Sequence, residues 1–411
     1  MRIVAVALAG AVLVGCTGQT TPPSAPMSPA PTTASSQPEP SGTPTPQQSS
    51  PTGRISQDAA AALEVSPVDY GDSTLVRATF GASQRAKGRP VALQRQTNSG
   101  WQQVASAKMT GAGSAEFLAP GTGGTFRAVA LPTAKTRDAV ATPTAKAADQ
   151  WNRVLNSGFD GSSLPRPWDY RLTDIYDAGG RWCSAPRKSN VEVADGIITL
   201  SMSKASKAVT ARVNASAKRK QAQAGQKTAG CPEGVFDNAM VSTQDRFTIP
   251  SGMVAARVKF PRAPGAHASV WLQSDAAQEI DMIETFGYGR GITNVIHVRG
   301  TKHPADGTQS YVATDLVADP QWWDAWHTVS VEWDRSGVQF RLDGKLTREL
   351  KVALAPANYY VVISLLSSDW ETYRLTKPDA RPGSGVDAAS VPKPKLPLTM
   401  DVDWVRAWRT R

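Results

Sequence analysis

Three carboxylates crowd into Glu279-Ile280-Asp281-Met282-Ile283-Glu284. Acidic residues are depleted from strands and costly to desolvate side by side. Yet the segment otherwise reads as a β-strand, with Trp271 and Leu272 upstream and the turn-like Phe286-Gly287-Tyr288-Gly289 after it. Strand side chains alternate, so Glu279 and Asp281 face one way, and strict alternation turns Glu284 the other way. One β-bulge between Asp281 and Glu284 cancels that mismatch and brings all three acids to one surface. Two glutamates flanking a bond, with carboxyl groups roughly 5–5.5 Å apart, are what retaining glycoside hydrolysis requires. Like charges on one face raise carboxyl pKa values, so one acid stays protonated while another is ionised, and the three titrate as a coupled set.

Three acids at this spacing arise easily by chance, and the surrounding sequence is what gives them weight. The segment resembles the signature of glycoside hydrolase family 16, Glu-x-Asp-x-Glu or, in the bulged branch, Glu-x-Asp-x-x-Glu. The resemblance extends over most of residues 156–411. Asn156-Ser157-Gly158-Phe159-Asp160-Gly161-Ser162 followed by Trp168 is similar to the family's opening strand, and Ser251 to Pro261 to its Tyr-Gly-x-x-Glu-x-Arg-x-Lys-x-Pro strand. Trp326 to Trp333, Phe340 to Gly344, and Met400 to Trp408 resemble three further strands in the same order.

The resemblance implies an all-β, concanavalin A-like β-jelly-roll sandwich over residues 151–411, with one curved sheet accepting a polysaccharide. It implies Glu279 as nucleophile, Glu284 as the acid and base, and Asp281 as a partner that tunes the nucleophile's charge. Around them it implies Trp271 as a sugar platform, His267 in place of a family tryptophan, His297 beside the acid, and Arg257 as a substrate-contacting arginine. His327 reads as core. Two departures concern sugar contacts, Ala255 for a strand glutamate and Ser364 for a cleft asparagine. Some members bind a structural calcium through an aspartate matching Asp403; here Gly158 stands where its partner carboxylate belongs, and no cofactor or catalytic metal is implied.

The rest of the chain has room for more than one domain. Residues 3–15 form an apolar run ending Leu13-Val14-Gly15-Cys16, too short to span a bilayer. It reads as a secretory signal over 1–15 and resembles a bacterial lipobox, which predicts lipid on Cys16. Residues 16–56 are nearly all Pro, Ser, Thr and Gln, a composition that cannot bury enough apolar surface to order itself and predicts a disordered tether. Residues 57–134 show short alternating runs separated by turn residues, similar to small bacterial immunoglobulin-like β-sandwiches, with Trp101 as core. Residues 135–150 read as a second linker. The region from 151 reads as strand-rich throughout, without a long amphipathic helix.

Export permits a disulfide between Cys183 and Cys231, the alternative being two buried thiols. Residues 203–229 carry seven Lys or Arg and no acid. That segment is either a basic flap attracting an anionic glycan or a solvated insertion. The net charge of +10 fits both, and no nucleic-acid motif is present. Taken together, the sequence predicts a monomeric endo-acting retaining glycosidase, lipid-anchored on the outer face of a bacterial membrane and extending into the wall. The bulged spacing resembles the laminarinase, agarase and carrageenase branch of the family more than the licheninases, a resemblance that implies a β-1,3-glucan or a galactan as substrate. A wall-remodelling transglycosylase and a glycan-binding protein without turnover are the competing readings.

Overall fold

The computed structural model describes residues 55–136, 138–171, 181–225, 227–276, 278–287, 292–297, 310–312, 319–367 and 395–411. The signal segment, Cys16 and nearly all of the tether lie outside these residues.

The chain first builds a small two-layer β module. Its strands are β1 (Ile55–Gln57), β2 (Ala62–Asp69), β3 (Ser73–Thr79), β4 (Pro90–Thr97), β5 (Gly100–Lys108), β6 (Ser114–Pro120), β7 (Phe126–Ala130) and β8 (Ala139–Ala141). They form a sheet in the order β1-β8-β7-β4-β5 and a second in the order β2-β3-β6. Alternation places Val76 and Ala78 of β3 against Val91, Leu93 and Phe126 in a core between the sheets. The segment expected as a linker over 135–150 is in part a component of this module. Ala139–Ala141 pairs with both β1 and β7, and Ala145 bridges Phe126. A helical turn, α1 (Ala147–Gln150), then leads directly into the next strand.

The larger domain comprises β9 (Trp151–Ser157), β10 (Asp169–Tyr170), β11 (Ser184–Pro186), β12 (Val191–Ala194), β13 (Ile197–Lys204), β14 (Phe236–Ser242), β15 (Gly252–Lys259) and β16 (Ala266–Ser274). It continues with β17 (Glu279–Thr285), β18 (Ile292–His297), β19 (Ser310–Val312), β20 (His327–Trp333), β21 (Val338–Leu342), β22 (Lys345–Leu350), β23 (Tyr359–Ser367) and β24 (Leu398–Thr410). One layer runs β19-β18-β17-β16-β23-β14 and the other β13-β24-β15-β20-β21-β22. Among the described residues, the strands of the two layers pair where Ser203 and Lys204 of β13 meet Asp237 and Phe236 of β14. Val254, Ala256 and Val258 of β15 meet Val270 and Leu272 of β16, Ile280 of β17 and Ile363 of β23 in the core between them. This is the jelly-roll sandwich that the strand pattern predicts.

Among the described residues of this domain, two helices interrupt the strands, α2 (Lys207–Gln223) and α3 (Pro320–Trp323). The 17-residue α2 is a helix that the expectation of a domain strand-rich throughout did not include. Ala, Lys, Arg and Gln are strong helix formers, and Ser206 caps the start by accepting from the Val209 N–H at 3.3 Å. The helix buries only Val213, Ser216 and Ala217, too narrow a stripe to register as amphipathic. Its Asn214 accepts from the Cys231 N–H at 2.8 Å, and Cys231 is disulfide-bonded to Cys183 with Cα atoms 5.6 Å apart.

The module is docked on the larger domain. Val68, Tyr70 and Leu75 pack on Trp151, Met253, Ala255, Trp404 and Trp408, the outer face of the second layer. Polar contacts ring this patch: the Tyr70 hydroxyl lies 2.7 Å from Ser330 Oγ, Arg77 pairs with Glu332 at 2.6 Å, and Arg341 donates both terminal nitrogens to Glu116 at 2.9 and 2.7 Å.

Candidate active site

Strand β17 carries the three acids and lies between β16 and β18 in the first layer. Asp281 pairs with Trp271 and Ile283 with Val270, so Met282 is the extra residue of a bulge. Ile280, Met282 and Ile283 all enter the core. Glu279, Asp281 and Glu284 consequently share the outer face. Neighbouring strands satisfy the two carbonyls that the bulge displaces: Asn294 Nδ2 donates to Met282 O at 2.6 Å and Ser269 Oγ to Ile283 O at 3.0 Å.

Each acid has a different environment. Glu279 accepts from Gln273 Nε2 at 3.4 Å, and Gln273 in turn accepts from the Tyr360 hydroxyl at 2.7 Å. Burial raises the Glu279 pKa, with His297 opposing and Glu284 adding to the rise. Asp281 is nearly buried, its side chain 4% exposed, with Oδ2 3.5 Å from His297 Nε2. Burial, then the neighbouring Glu279 and Glu284, push it well above the usual carboxylate range. Facing these carboxylates, and Asp281 above all, His297 is raised to about 9.

Glu284 differs. Burial alone would raise it, but His267 Nε2 at 2.8 Å, Arg181 and the Thr293 hydroxyl at 3.1 Å together lower it below its ordinary value. Burial and the adjacent Arg181 keep His267 below its own ordinary value. The surroundings of Glu284 therefore favour its anion, while burial and mutual repulsion favour the neutral forms of Asp281 and Glu279.

The other expected residues divide. His267, Trp271 and His297 stand on the face with the acids. Trp271 is buried, however: its indole N–H donates to Ser364 Oγ at 3.2 Å and the Arg171 guanidinium lies 5.1 Å over its ring. Arg257 is a correction to its reading as a substrate contact. It lies on β15 of the other layer and turns outward to pair with Asp403 at 2.5 Å and cover Trp326 at 5.0 Å. Its neighbour two residues back, Ala255, is on that same outer face under the module, so neither contacts a sugar on the acid-bearing face. His327 is core, bonded to Asp343 at 2.8 Å and to the Trp322 carbonyl at 2.7 Å.

Sequence reading missed Arg171 and Arg181. Both lie just outside the short strands β10 and β11, where no periodicity marks them, and only the fold brings them beside the acids. Arg171 donates to Gln273, spans Trp271 and Tyr360, and leaves Nη1 buried without a hydrogen-bond acceptor.

Glu279, Asp281 and His297 offer atoms within 4.8 Å of one another, a spacing that suits a cation. His297 is protonated at neutral pH and in that state has no lone pair to give. Around Asp403, the Arg257 ion pair occupies the carboxylate that a structural calcium would use.

Among solved structures, the chain is similar to the laminarinase catalytic domain from Thermotoga maritima MSB8, at 16% identity over 63% of this chain and 98% of that one, with a TM-score of 0.43. It is also similar to an endo-β-1,3-glucanase from Pyrococcus furiosus, at 17% identity over 64% and 96% of the two chains, with a TM-score of 0.45. A laminarinase from Flavobacterium sp. UMI-01 aligns at 15% identity over 63% and 100%, with a TM-score of 0.43. At such identities and scores these likenesses carry no conclusion about this chain. No curated protein matches it. The family model described as glycosyl hydrolases family 16 matches residues 183–381, which include the bulged strand with all three acids. Residues 183–381 are therefore a domain of glycosyl hydrolases family 16.

Proposed function

We propose that this protein is an exported, membrane-anchored endo-glycosidase that cleaves a β-linked polysaccharide with retention, a β-1,3-glucan or a galactan being the substrate. The observation that carries the reading is the bulge. It turns Glu284 onto the face of Glu279 and Asp281, an arrangement that buries charge and has no structural benefit of its own.

In the proposed mechanism Glu279 attacks the anomeric carbon as the leaving oxygen takes a proton from Glu284; water then enters, loses a proton to Glu284, and releases the sugar from Glu279. The first half needs the proton on Glu284 and the second its carboxylate, so turnover follows a bell-shaped pH–rate profile set by the coupled acids.

The test is product analysis by mass spectrometry. The full-length chain and its Glu279→Gln variant are incubated in ¹⁸O-water with β-1,3-glucan, mixed-linkage glucan, agar, carrageenan and wall galactan. Labelled oligosaccharides from a β-1,3-glucan or a galactan, absent with the variant, are expected. Unlabelled longer products would replace hydrolysis by transfer, and no products at all would refute turnover of these polymers. Cys16 as the anchor predicts a mature chain that begins there with lipid attached, read by intact mass.

A further inference from the structure

The contacts behind Glu284 have a chemical direction. Arg181 places Nε at 3.1 Å and Nη2 at 2.6 Å from His267 Nδ1. A guanidinium has donors only, so Nδ1 must be the accepting, unprotonated nitrogen. The single imidazole proton is then on Nε2, which is 2.8 Å from Glu284 Oε1 and donates to it. The other carboxylate oxygen, Oε2, accepts from Thr293 Oγ1 at 3.1 Å. The His267 ring has little freedom to turn: its side chain is 6% exposed and stacks on Phe286, with centroids 4.6 Å apart and planes 5° from parallel.

We propose that Arg181 and His267 are positioning residues for Glu284: Arg181 fixes the Nε2–H tautomer of His267, and His267 uses that hydrogen to orient the Glu284 carboxylate and hold it as the anion. Neither need touch the sugar. The proposal rests on Glu284 belonging to the catalytic pair, and it reassigns His267 from substrate contact to support. It also explains the place of Arg181 in the chain. Two residues on, Cys183 is bonded to Cys231, whose backbone is held by Asn214 of α2. The disulfide and the helix thereby secure the arginine.

The groups that bear on Glu284 come from every neighbouring element: Glu279 and Asp281 on its own strand, His267 on β16, His297 and Thr293 on β18, and Arg181 ahead of β11. His267 and Thr293 donate to its two oxygens. Removing the His267 donor leaves a buried carboxylate beside two other acids, so its proton affinity must rise.

The experiment needs no substrate and therefore stands or falls separately from the enzymatic reading. Long-range ¹H–¹⁵N NMR of the full-length chain resolves its four imidazoles, with His267 assigned by its loss in His267→Gln. The Nε2–H neutral form is expected at neutral pH, with a midpoint below that of an ordinary imidazole, and a higher midpoint once Arg181 is replaced by Leu. Glutamate carboxyl ¹³C titration, with Glu284 assigned by Glu284→Gln, reads the second step. His267→Leu should move the Glu284 midpoint up by at least one pH unit, a tenfold gain in proton affinity. His267→Gln, which keeps an N–H donor, should leave it low. An Nδ1–H tautomer in the wild type, or a Glu284 midpoint unmoved in folded His267→Leu, overturns the proposal. Should His267→Leu not fold, the wild-type tautomer and the Arg181→Leu response decide it.

Discussion

Asn294 is the residue on which the bulge can be tested. Its side chain is buried between the two layers, donating to Met282 O at 2.6 Å and accepting from Thr347 Oγ1 of β22 at 2.9 Å. In Asn294→Ala both bonds are lost, and the Met282 carbonyl is left without its side-chain donor. A buried unsatisfied group costs about 1–3 kcal/mol, and the small cavity adds to that, so a loss of roughly 2–4 kcal/mol is expected. The strand will not simply straighten. Regular alternation would drive the Glu284 carboxylate into the core, which costs more than the orphaned carbonyl. The bulge therefore survives but loosens, and Glu284 loses its fixed distance from Glu279. Thr347→Val removes only one of the two bonds and leaves Met282 paired, so about 1 kcal/mol is expected there. Urea denaturation of both variants measures the stabilities, and turnover of whichever polymer the wild type cleaves measures the geometry. Asn294→Ala within about 0.5 kcal/mol of wild type at unchanged turnover would refute the account of the bulge.

Other perturbations give distinct signatures. Glu279→Gln and Glu284→Gln should each abolish turnover in a chain that still folds; activity surviving in both would remove the acids from the mechanism. Asp281→Asn should stabilise the fold at neutral pH. A carboxyl whose folded pKa is raised binds more protons folded than unfolded, so its penalty grows as pH climbs from 3.8 through the folded value, at about 1.4 kcal/mol per unit of elevation. The gain should vanish below pH 3.8, and a gain that is independent of pH would contradict the assignment. Cys183→Ser with Cys231→Ser opens a loop of 48 residues, for which chain entropy gives a loss of about 4 kcal/mol, read as a lower denaturation midpoint under oxidising conditions. A chain truncated to start at Trp151 should self-associate in size-exclusion chromatography with light scattering, because the patch of Trp151, Met253, Trp404 and Trp408 loses its cover. A monomeric, fully stable fragment would show that the module is dispensable.

Much of this was legible in the residues. Glu279, Asp281 and Glu284 disclosed the bulge because strand alternation has a period of two and leaves no other way to align them. The bridge between Cys183 and Cys231 was one of the two readings their sequence allowed, and His327 read as core. Arg257 failed for an instructive reason: periodicity separates the two faces of a strand but does not say which layer of a sandwich that strand joins. The same blindness hid the fate of Ala255, which is small because the module sits on it. Helix α2 was masked by its composition, since a helix that buries so little leaves propensity as its only signature. Arg181 and Arg171 could not be read at all. Their roles depend on which strands their segments adjoin, and that is a property of the assembled sheet.

The docked module also constrains where the acids can work. Its sheet β2-β3-β6 packs on the outer face of the second layer, while the acids occupy the outer face of the first. Strand β1, where the described chain begins, is in the module's other sheet, farthest from the acids. The described residues thus form four stacked β layers, with β1 in the layer at one end and the acids on the outer face of the layer at the other; sheets spaced about 10 Å apart put roughly 30 Å between them. The contacts of Arg77, Arg341 and Tyr70 across the interface are what make this orientation a property of the fold instead of an average over a flexible link.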